Sequence, residues 1–113
     1  MNAIQVTIFI NESYRWRERP LHLALLEALA MEGIAGASVL RGVAGYTRAR
    51  GVSTTALVDA GSLLPLVVQF VDTAANVERM LPMITEMAGN RLVTTSVVDV
   101  RSGGAFAGDA PQV

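Results

Sequence analysis

The chain has 113 residues, of which 51% are hydrophobic, and it carries a formal net charge of −1 and no cysteine. The length suits a single domain, the charge argues against a nucleic-acid-binding protein, and the missing cysteine excludes disulfides, thiolate metal sites and cysteine nucleophiles. The first residues predict a strand and not a signal peptide, and no apolar run approaches the roughly 18 residues of a membrane span, so we expect a cytoplasmic protein without membrane insertion.

The N-terminal third of the chain predicts a strand and a helix. Residues 3–10 are rich in β-branched side chains and end at a polar, arginine-rich loop over residues 11–19. Pro20 suits a helix start, and residues 21–32 are strong helix formers that Gly33 ends. An apolar stripe runs along this helix and is widened by further apolar residues, so we expect most of the helix to be covered; these residues are Leu23, Leu26, Ala30 and Met31.

The middle of the chain predicts a second strand and a central loop. Residues 37–45 read as the strand, in which Gly42 and Gly45 indicate a bend or a close approach of the backbone to another part of the molecule. Residues 46–52 are expected to form an exposed loop, and residues 53–58 a short strand.

The C-terminal half repeats the same design. Residues 66–71 form an almost continuous apolar run, which is typical of a strand buried on both faces. Thr73, with the aspartate before it, caps a second helix, which Pro82 should kink or divide and which Gly89 and the next residue end. Residues 92–100 are the last predicted strand.

The order of these elements predicts the fold class. Two strand-helix-strand units predict an α+β, ferredoxin-like β-α-β-β-α-β sandwich, with a four-stranded antiparallel sheet and both helices on one face. We assign residues 1–101 to this domain and residues 102–113 to a flexible C-terminal tail. The other face of the sheet is left open, and apolar surface in water is unfavourable by about 25 cal/mol per Å², so we expect self-association.

Catalytic and metal-binding residues are sparse. His22 is the only histidine, and a lone histidine in a helix is more often structural than catalytic. The ten acidic residues show no metal-ligand spacing, and no glycine-rich phosphate loop is present. We therefore expect neither an enzyme nor a metal site.

Arginine carries all the positive charge of the chain. Of the nine arginines, only Arg79 falls on a predicted helix, and the others lie mostly at the ends of elements. Guanidinium groups that converge can bind phosphate or carboxylate in a bidentate manner. The alternative is that they are solvated loop charges with local acidic partners such as Glu12 and Glu18.

Four segments resemble a known family. The strings YRWRERPL, GIAGASVLRGVAGY, LPLVVQFVD and MLPMITEMAGNRLVTTSVVDV are similar to a PII-like family of bacterial proteins of unknown function, across residues 3–101. The resemblance implies the fold of PII signal proteins and a homotrimer. It also implies an adenine nucleotide (AMP, ADP or ATP) bound as an effector between subunits, with no other cofactor.

The resemblance also implies which residues bind the nucleotide. They lie at the end of the second strand, at the base of the central loop, after the second helix and just beyond the last strand: Arg41, Gly42, Val43, Ala44, Gly45, Tyr46, Arg48, Arg50, Gly89, Asn90, Arg91, Leu92 and Arg101. The glycines let backbone N–H groups approach phosphate, and Arg91 and Arg101 neutralise it. The Gly-Asp-Gly-Lys string of PII proteins is missing after the second helix.

The implied mechanism is a regulatory switch. The nucleotide orders the central loop, its loss frees the loop, and the loop controls a partner such as a membrane transporter or an enzyme. Two alternatives stay open, a small-anion sensor, for example for bicarbonate in inorganic-carbon uptake, and a ligand-free trimeric adaptor. An enzyme would rest on His22 alone.

Overall fold

The computed structural model describes residues 1–48, 51–54 and 64–103. Within these residues, the elements in chain order are β1 (Asn2–Asn11), β2 (Arg15–Trp16), β3 (Arg19–Pro20), α1 (Leu21–Met31), β4 (Ser38–Arg41), β5 (Ala44–Thr47), β6 (Gly51–Thr54), β7 (Pro65–Asp72), α2 (Ala74–Ala88) and β8 (Val93–Asp99). Neither helix is long and apolar enough to cross a membrane in the ranges described.

A four-stranded antiparallel sheet with the order β4-β7-β1-β8 is the framework of the fold. β1 lies in its centre and pairs with β7 from Ile4–Asp72 to Asn11–Pro65, and with β8 from Asn2–Asp99 to Ile8–Val93. The outer strands therefore come from the ends of the two β-α-β units, and the inner strands from their beginnings. This arrangement confirms the predicted α+β, ferredoxin-like architecture.

The hydrophobic core lies between the sheet and the two helices. Side chains at alternate positions of β1 and β7 face it, and Val6, Ile8 and Val68 are fully buried there. Leu25 from α1 and Ile84 from α2 pack against the same cluster. Every second side chain of these strands and one face of each helix are therefore buried in the same layer.

Helix α1 is covered on one side only. Leu21, Leu25 and Leu29 are buried, but Leu23 is 42% exposed and Met31 is 85% exposed. The expectation that most of this helix is covered is therefore wrong for the single chain, because the helix packs on the sheet with one stripe and none of the residues that the structure describes forms a layer beyond it.

Helix α2 is continuous through its proline. Thr73 is its N-cap, with Oγ1 accepting a hydrogen bond from the Asn76 amide at 3.2 Å, and Gly89 ends it with φ of 65°. Pro82 does not divide the helix. The proline removes the donor for the carbonyl of Glu78, and water can replace that donor because Glu78 is exposed.

The predicted second strand and central loop are two separate structures. β4 belongs to the main sheet, and after a break at Gly42 the chain continues into a hairpin of β5 and β6, with Tyr46 opposite Val52. The prediction of an exposed loop at residues 46–52 is wrong to that extent. β6 ends at Thr54, and the rest of the strand predicted over residues 53–58 lies outside the described residues, as does the tail from residue 104 onwards.

In the part of the chain that the structure describes, one face of the sheet has no helix layer. Burial alternates strictly along β7, so the prediction that this strand is buried on both faces is wrong for the single chain. Register places Phe9, Val67 and Leu40 side by side on the uncovered face, together with Gln69 beside Thr7. We call this surface the open face. Phe9 is 42% exposed and Leu40 is 54% exposed.

Candidate functional site

A cleft of about 380 Å³ lies where the β5–β6 hairpin leaves the sheet. The end of β1 and the beginning of β7 form its floor, and the hairpin forms one wall. We call it the hairpin cleft, and its lining residues are Phe9, Ile10, Asn11, Tyr14, Gly42, Ala44, Gly45, Tyr46, Thr47, Gly51, Pro65, Leu66 and Val67.

Two glycines allow the hairpin to lie against the start of β7. The Gly42 amide donates to the Pro65 carbonyl at 2.9 Å. A Cβ atom on Gly42 would lie 2.7 Å from Pro65 Cγ, and one on Gly45 would lie 3.0 Å from the same atom. The predicted close approach at these glycines is confirmed, and the surface approached is the Pro65 ring.

Two tyrosines flank the hairpin cleft. Tyr46 projects from β5 and is 77% exposed, so its ring face is accessible. Tyr14 lies on the other side, where its carbonyl accepts from the Leu21 amide at 2.8 Å. Asn11 Oδ1 accepts from the Ser13 amide at 2.7 Å and so shapes the turn that leads to Tyr14.

Arg91 lies behind Tyr14. Its Cζ atom is 3.7 Å from the centroid of the Tyr14 ring, a close cation–π contact. Nη1 donates to the Ala88 carbonyl at 3.0 Å, and the buried Nε has no hydrogen-bond partner. Arg91 is therefore one aromatic ring away from the cleft and does not line it.

The rest of the loop after α2 also reaches the cleft indirectly. The carbonyl of Leu92 accepts from the amide of Phe9 at 2.9 Å, and Phe9 is a lining residue. Gly89 and Asn90 are exposed, and neither lines the cleft. Val43 is 73% exposed and also lies outside the lining.

Within one chain, the other predicted arginines that the structure describes do not lie close together. Arg41, next to Gly42, forms an ion pair with Glu12. Arg48 is exposed in the turn of the hairpin. Arg101 Nη1 lies 3.7 Å from Asp99 Oδ2. Asp99 pairs with Asn2 at the end of the sheet opposite the cleft, so within one chain Arg101 is remote from the cleft. Arg50 lies outside the described residues.

Sequence reasoning missed the floor of the cleft. Of the predicted residues, Gly42, Ala44, Gly45 and Tyr46 line it. Phe9, Tyr14 and Pro65 were not predicted, because they come from two distant segments that only strand pairing brings together. The signal that could have identified Pro65 is its position at the start of an apolar strand. Glycines elsewhere in the chain indicate that their backbone lies close to some other surface, and the Pro65 ring is that surface.

The walls of the cleft are mostly apolar. The described lining residues are all uncharged, and most are apolar or contribute backbone. No group of histidine and acidic side chains that could hold a metal ion occurs among the described residues. His22 lies in the first turn of α1, away from the lining, with a buried Nδ1 that has no hydrogen-bond partner.

Comparison with known proteins gives a family and two relatives. Residues 3–100 match the model of the DUF190 family, described as an uncharacterized ACR. A UPF0166 protein of Aquifex aeolicus is 32% identical over 93 residues, covering 82% of this chain and 88% of the relative. One from Methanocaldococcus jannaschii is 30% identical over 83 residues, covering 74% and 76%.

Among solved structures, the de novo designed protein Foldit4 is similar to 88% of this chain and 98% of its own, with 17% identity and a TM-score of 0.43. A likeness of this size carries no functional information.

Proposed function

The chain belongs to the DUF190 family, and from that premise we propose that it is a PII-like regulatory protein that binds an adenine nucleotide in the hairpin cleft. In this proposal the protein works as a homotrimer and catalyses no reaction. Nucleotide binding changes the orientation of the β5–β6 hairpin, and the hairpin controls a partner such as a transporter or an enzyme.

The observation that carries the proposal is the accessible Tyr46 ring at the edge of an apolar cleft. A nucleobase has two apolar faces, and stacking on an aromatic side chain is worth about 1–3 kcal/mol per base. Small-molecule sites combine mostly apolar walls with a few polar groups, and their volumes are roughly 300–1,000 Å³. The hairpin cleft, at about 380 Å³, falls within that range.

The open face supports a site between subunits. Phe9 and Val67 belong both to the open face and to the cleft lining. Another copy of the chain that covered the apolar open face would therefore also close one side of the cleft. Burial of exposed Leu40 and Phe9 would favour such assembly at about 25 cal/mol per Å² of apolar area.

The position of the cleft supports a switch. β5 and Gly51 of the hairpin form one wall of the cleft, whereas its floor belongs to β1 and β7 of the central sheet. A ligand that contacts both the hairpin wall and the sheet floor favours the hairpin orientation in which both contacts form. The hairpin can then present its turn to a partner in one ligand state and withdraw it in the other.

Isothermal titration of the purified full-length protein with AMP, ADP, ATP and cyclic AMP tests the proposal. We expect binding of at least one of them. Tyr46→Ala should weaken it about tenfold or more because the stacking surface is lost. Tyr46→Phe, which retains the ring, is the matched control and should bind within about threefold of the wild type.

The opposite result is also informative. If none of the four nucleotides releases heat or raises the melting temperature, the nucleotide proposal is wrong, because a ligand that binds only the native state must stabilise it. A trimeric adaptor without a ligand would then be the better description. Binding of bicarbonate alone would instead indicate the small-anion sensor.

A further inference from the structure

We propose that the short hairpin of β2 and β3 is a docking element for an acidic segment of a partner protein. We call it the arginine hairpin, and it consists of residues 15–20. The proposal goes beyond the nucleotide site, because it requires neither a nucleotide nor the β5–β6 hairpin. It is based on the strained turn of the arginine hairpin, on the side chains held there and on their charge.

The turn of the arginine hairpin has a backbone conformation that its residues do not favour. Trp16 pairs with Arg19, so Arg17 and Glu18 form a two-residue turn. Their φ angles are 49° and 70°, in the left-handed region that such turns usually fill with asparagine and glycine. Strained backbone of this kind is concentrated at functional sites. The chain keeps two long charged side chains where a smaller pair would be more stable, which indicates a role for these side chains.

The side chains of the arginine hairpin are held in place within the chain. Trp16 is partly buried and packs against the hydrophobic core. The guanidinium of Arg17 lies over its ring, with Cζ 4.9 Å from the ring centroid, so the N–H groups at the guanidinium edge stay free to donate. Arg15 Nη2 donates to the carbonyl of Glu18. Both guanidiniums are therefore positioned before a partner binds, which reduces the entropy lost on binding.

Two arginines of this hairpin have no acidic partner in the part of the chain that the structure describes. Arg15 and Arg17 are exposed and belong to none of its ion pairs. Four other arginines are each paired with a carboxylate: Arg19, Arg41, Arg79 and Arg101. A free guanidinium binds a carboxylate through two parallel hydrogen bonds, and arginine and tryptophan are enriched among the residues that dominate protein interfaces.

The charge pattern favours a protein over a nucleic acid or a membrane. Glu18 is exposed in the same turn as Arg17, so a dense array of phosphates would meet a carboxylate between the guanidiniums. Separate carboxylates on a protein surface can avoid it. The partially exposed indole of Trp16 adds an apolar contact that a protein segment can use.

The position of the arginine hairpin leaves it accessible in the proposed assembly. β2 and β3 lie against α1, on the covered side of the sheet. Copies that meet through the open face are on the opposite side of the sheet, so they do not neutralise these charges. The proposal therefore assigns the arginine hairpin to a different protein and not to another copy of this chain.

Fluorescence of Trp16, the only tryptophan of the chain, tests the proposal. The full-length protein is titrated with a synthetic peptide of glutamate, leucine and glycine, and with a matched peptide in which glutamine replaces each glutamate. We expect a saturable change in emission with the glutamate peptide only, and a lower affinity at higher salt. Equal responses to both peptides, no response to either, or a response only to phosphatidylserine vesicles would overturn the proposal. Since no nucleotide is present, none of these results affects the nucleotide proposal.

Arg17→Ala identifies the binding group. The variant should bind the glutamate peptide about tenfold more weakly and keep the wild-type mass in light scattering. Arg79→Ala removes an exposed arginine outside the arginine hairpin, and as the matched control it should bind as the wild type does. Unchanged binding by Arg17→Ala would overturn the proposal. A smaller mass would also overturn it, because another copy of the chain would then be the partner.

Arg17→Asn combined with Glu18→Gly separates binding from folding. This turn sequence suits left-handed backbone, so the double variant should melt at a temperature roughly 2–6 °C higher than the wild type. It should also lose binding of the glutamate peptide, as expected where strain is retained for function. Unchanged peptide binding would overturn the proposal, whatever the change in melting temperature.

Discussion

The two faces of the central sheet are built from the same four strands and have opposite surroundings. On the helix side Val6, Ile8 and Val68 are completely buried. On the open face, Phe9 is 42% exposed although it is the next residue after Ile8, and Leu40 is 54% exposed. One residue of register separates a side chain that stabilises the fold from one that is free to bind something else.

The difference between the covered face and the open face shows which surface of a small domain is available for binding. The core cluster of buried side chains lies on the covered face, so we expect the stability of the single chain to depend mainly on that face. The open face is then available for other copies, and the hairpin cleft at its end for ligands, although Ile10 and Leu66 of the cleft lining also belong to the core. The predictions that follow test this division between the two faces.

The largest contrast is expected from truncating the covered face. Ile8→Ala removes a fully buried side chain between the sheet and both helices, and should lower the free energy of unfolding by about 2–5 kcal/mol. Thr94→Ala, at an exposed position of β8, should change it by less than about 0.5 kcal/mol. Chemical denaturation followed by circular dichroism measures both. Similar losses at the two positions would break the comparison.

Assembly should depend on the open face and not on the outer side of the helices. Leu40→Glu introduces a charge into the apolar open face and should shift the proposed trimer toward monomer, since an unpaired charge is unfavourable in an interface. Met31→Glu is the control, at a position of α1 that is 85% exposed. Size-exclusion chromatography with light scattering gives the mass of each variant. A trimer that persists in Leu40→Glu would show that another surface joins the copies.

A smaller effect is expected at the base of the hairpin. Gly42→Ala places a Cβ atom 2.7 Å from Pro65 Cγ, and we expect a loss of about 1–3 kcal/mol from overpacking, together with weaker nucleotide binding. Gly36→Ala is the matched control, since a Cβ atom there meets nothing within 4 Å. Thermal melts and titration calorimetry measure the two effects. If both variants behave alike, the contact with Pro65 does not shape the cleft.

The smallest effect concerns charge on the solvent side of α1. The hydrogen bond from Arg19 lowers the pKa of the Glu27 carboxyl below its usual range, and the charge of Arg19 acts in the same direction. A lowered folded-state pKa contributes stability above the unfolded pKa, and this contribution is lost as pH falls through the folded pKa. Titration by NMR should show the pKa of Glu27 rising in Arg19→Gln. An unchanged value would mean that the ion pair does not form in solution.

The fold was largely predictable from sequence because its signals are local. The cap at Thr73 and the left-handed glycines Gly33 and Gly89 mark both helices, and the β-branched runs mark β1 and β7. The paired strands β5 and β6 were not predictable, as four-residue strands of small and polar residues resemble a loop. The exposure of Leu23 and Met31 also needed the structure, since composition does not say how many layers cover a helix.

The site was only half predictable, for a different reason. The glycines of the hairpin base predict a close contact, but no local sequence pattern identifies Pro65 as the residue that they contact. The link from Arg91 to the cleft passes through Tyr14, a residue 77 positions earlier in the chain. Such pairings depend on three-dimensional register, whereas Arg101 is separated from them by the length of the sheet in a single chain.

The contact of Pro65 with Gly42 and Gly45 also limits how this chain can change over evolutionary time. A larger side chain at position 42 becomes acceptable only after the ring at position 65 has been replaced, and until then the order of the two substitutions matters. We therefore expect the residues at positions 42, 45 and 65 to change together during evolution. In this chain, we expect replacement of Pro65 by a smaller residue to make a bulkier side chain acceptable at the hairpin base and to change the shape of the cleft accordingly.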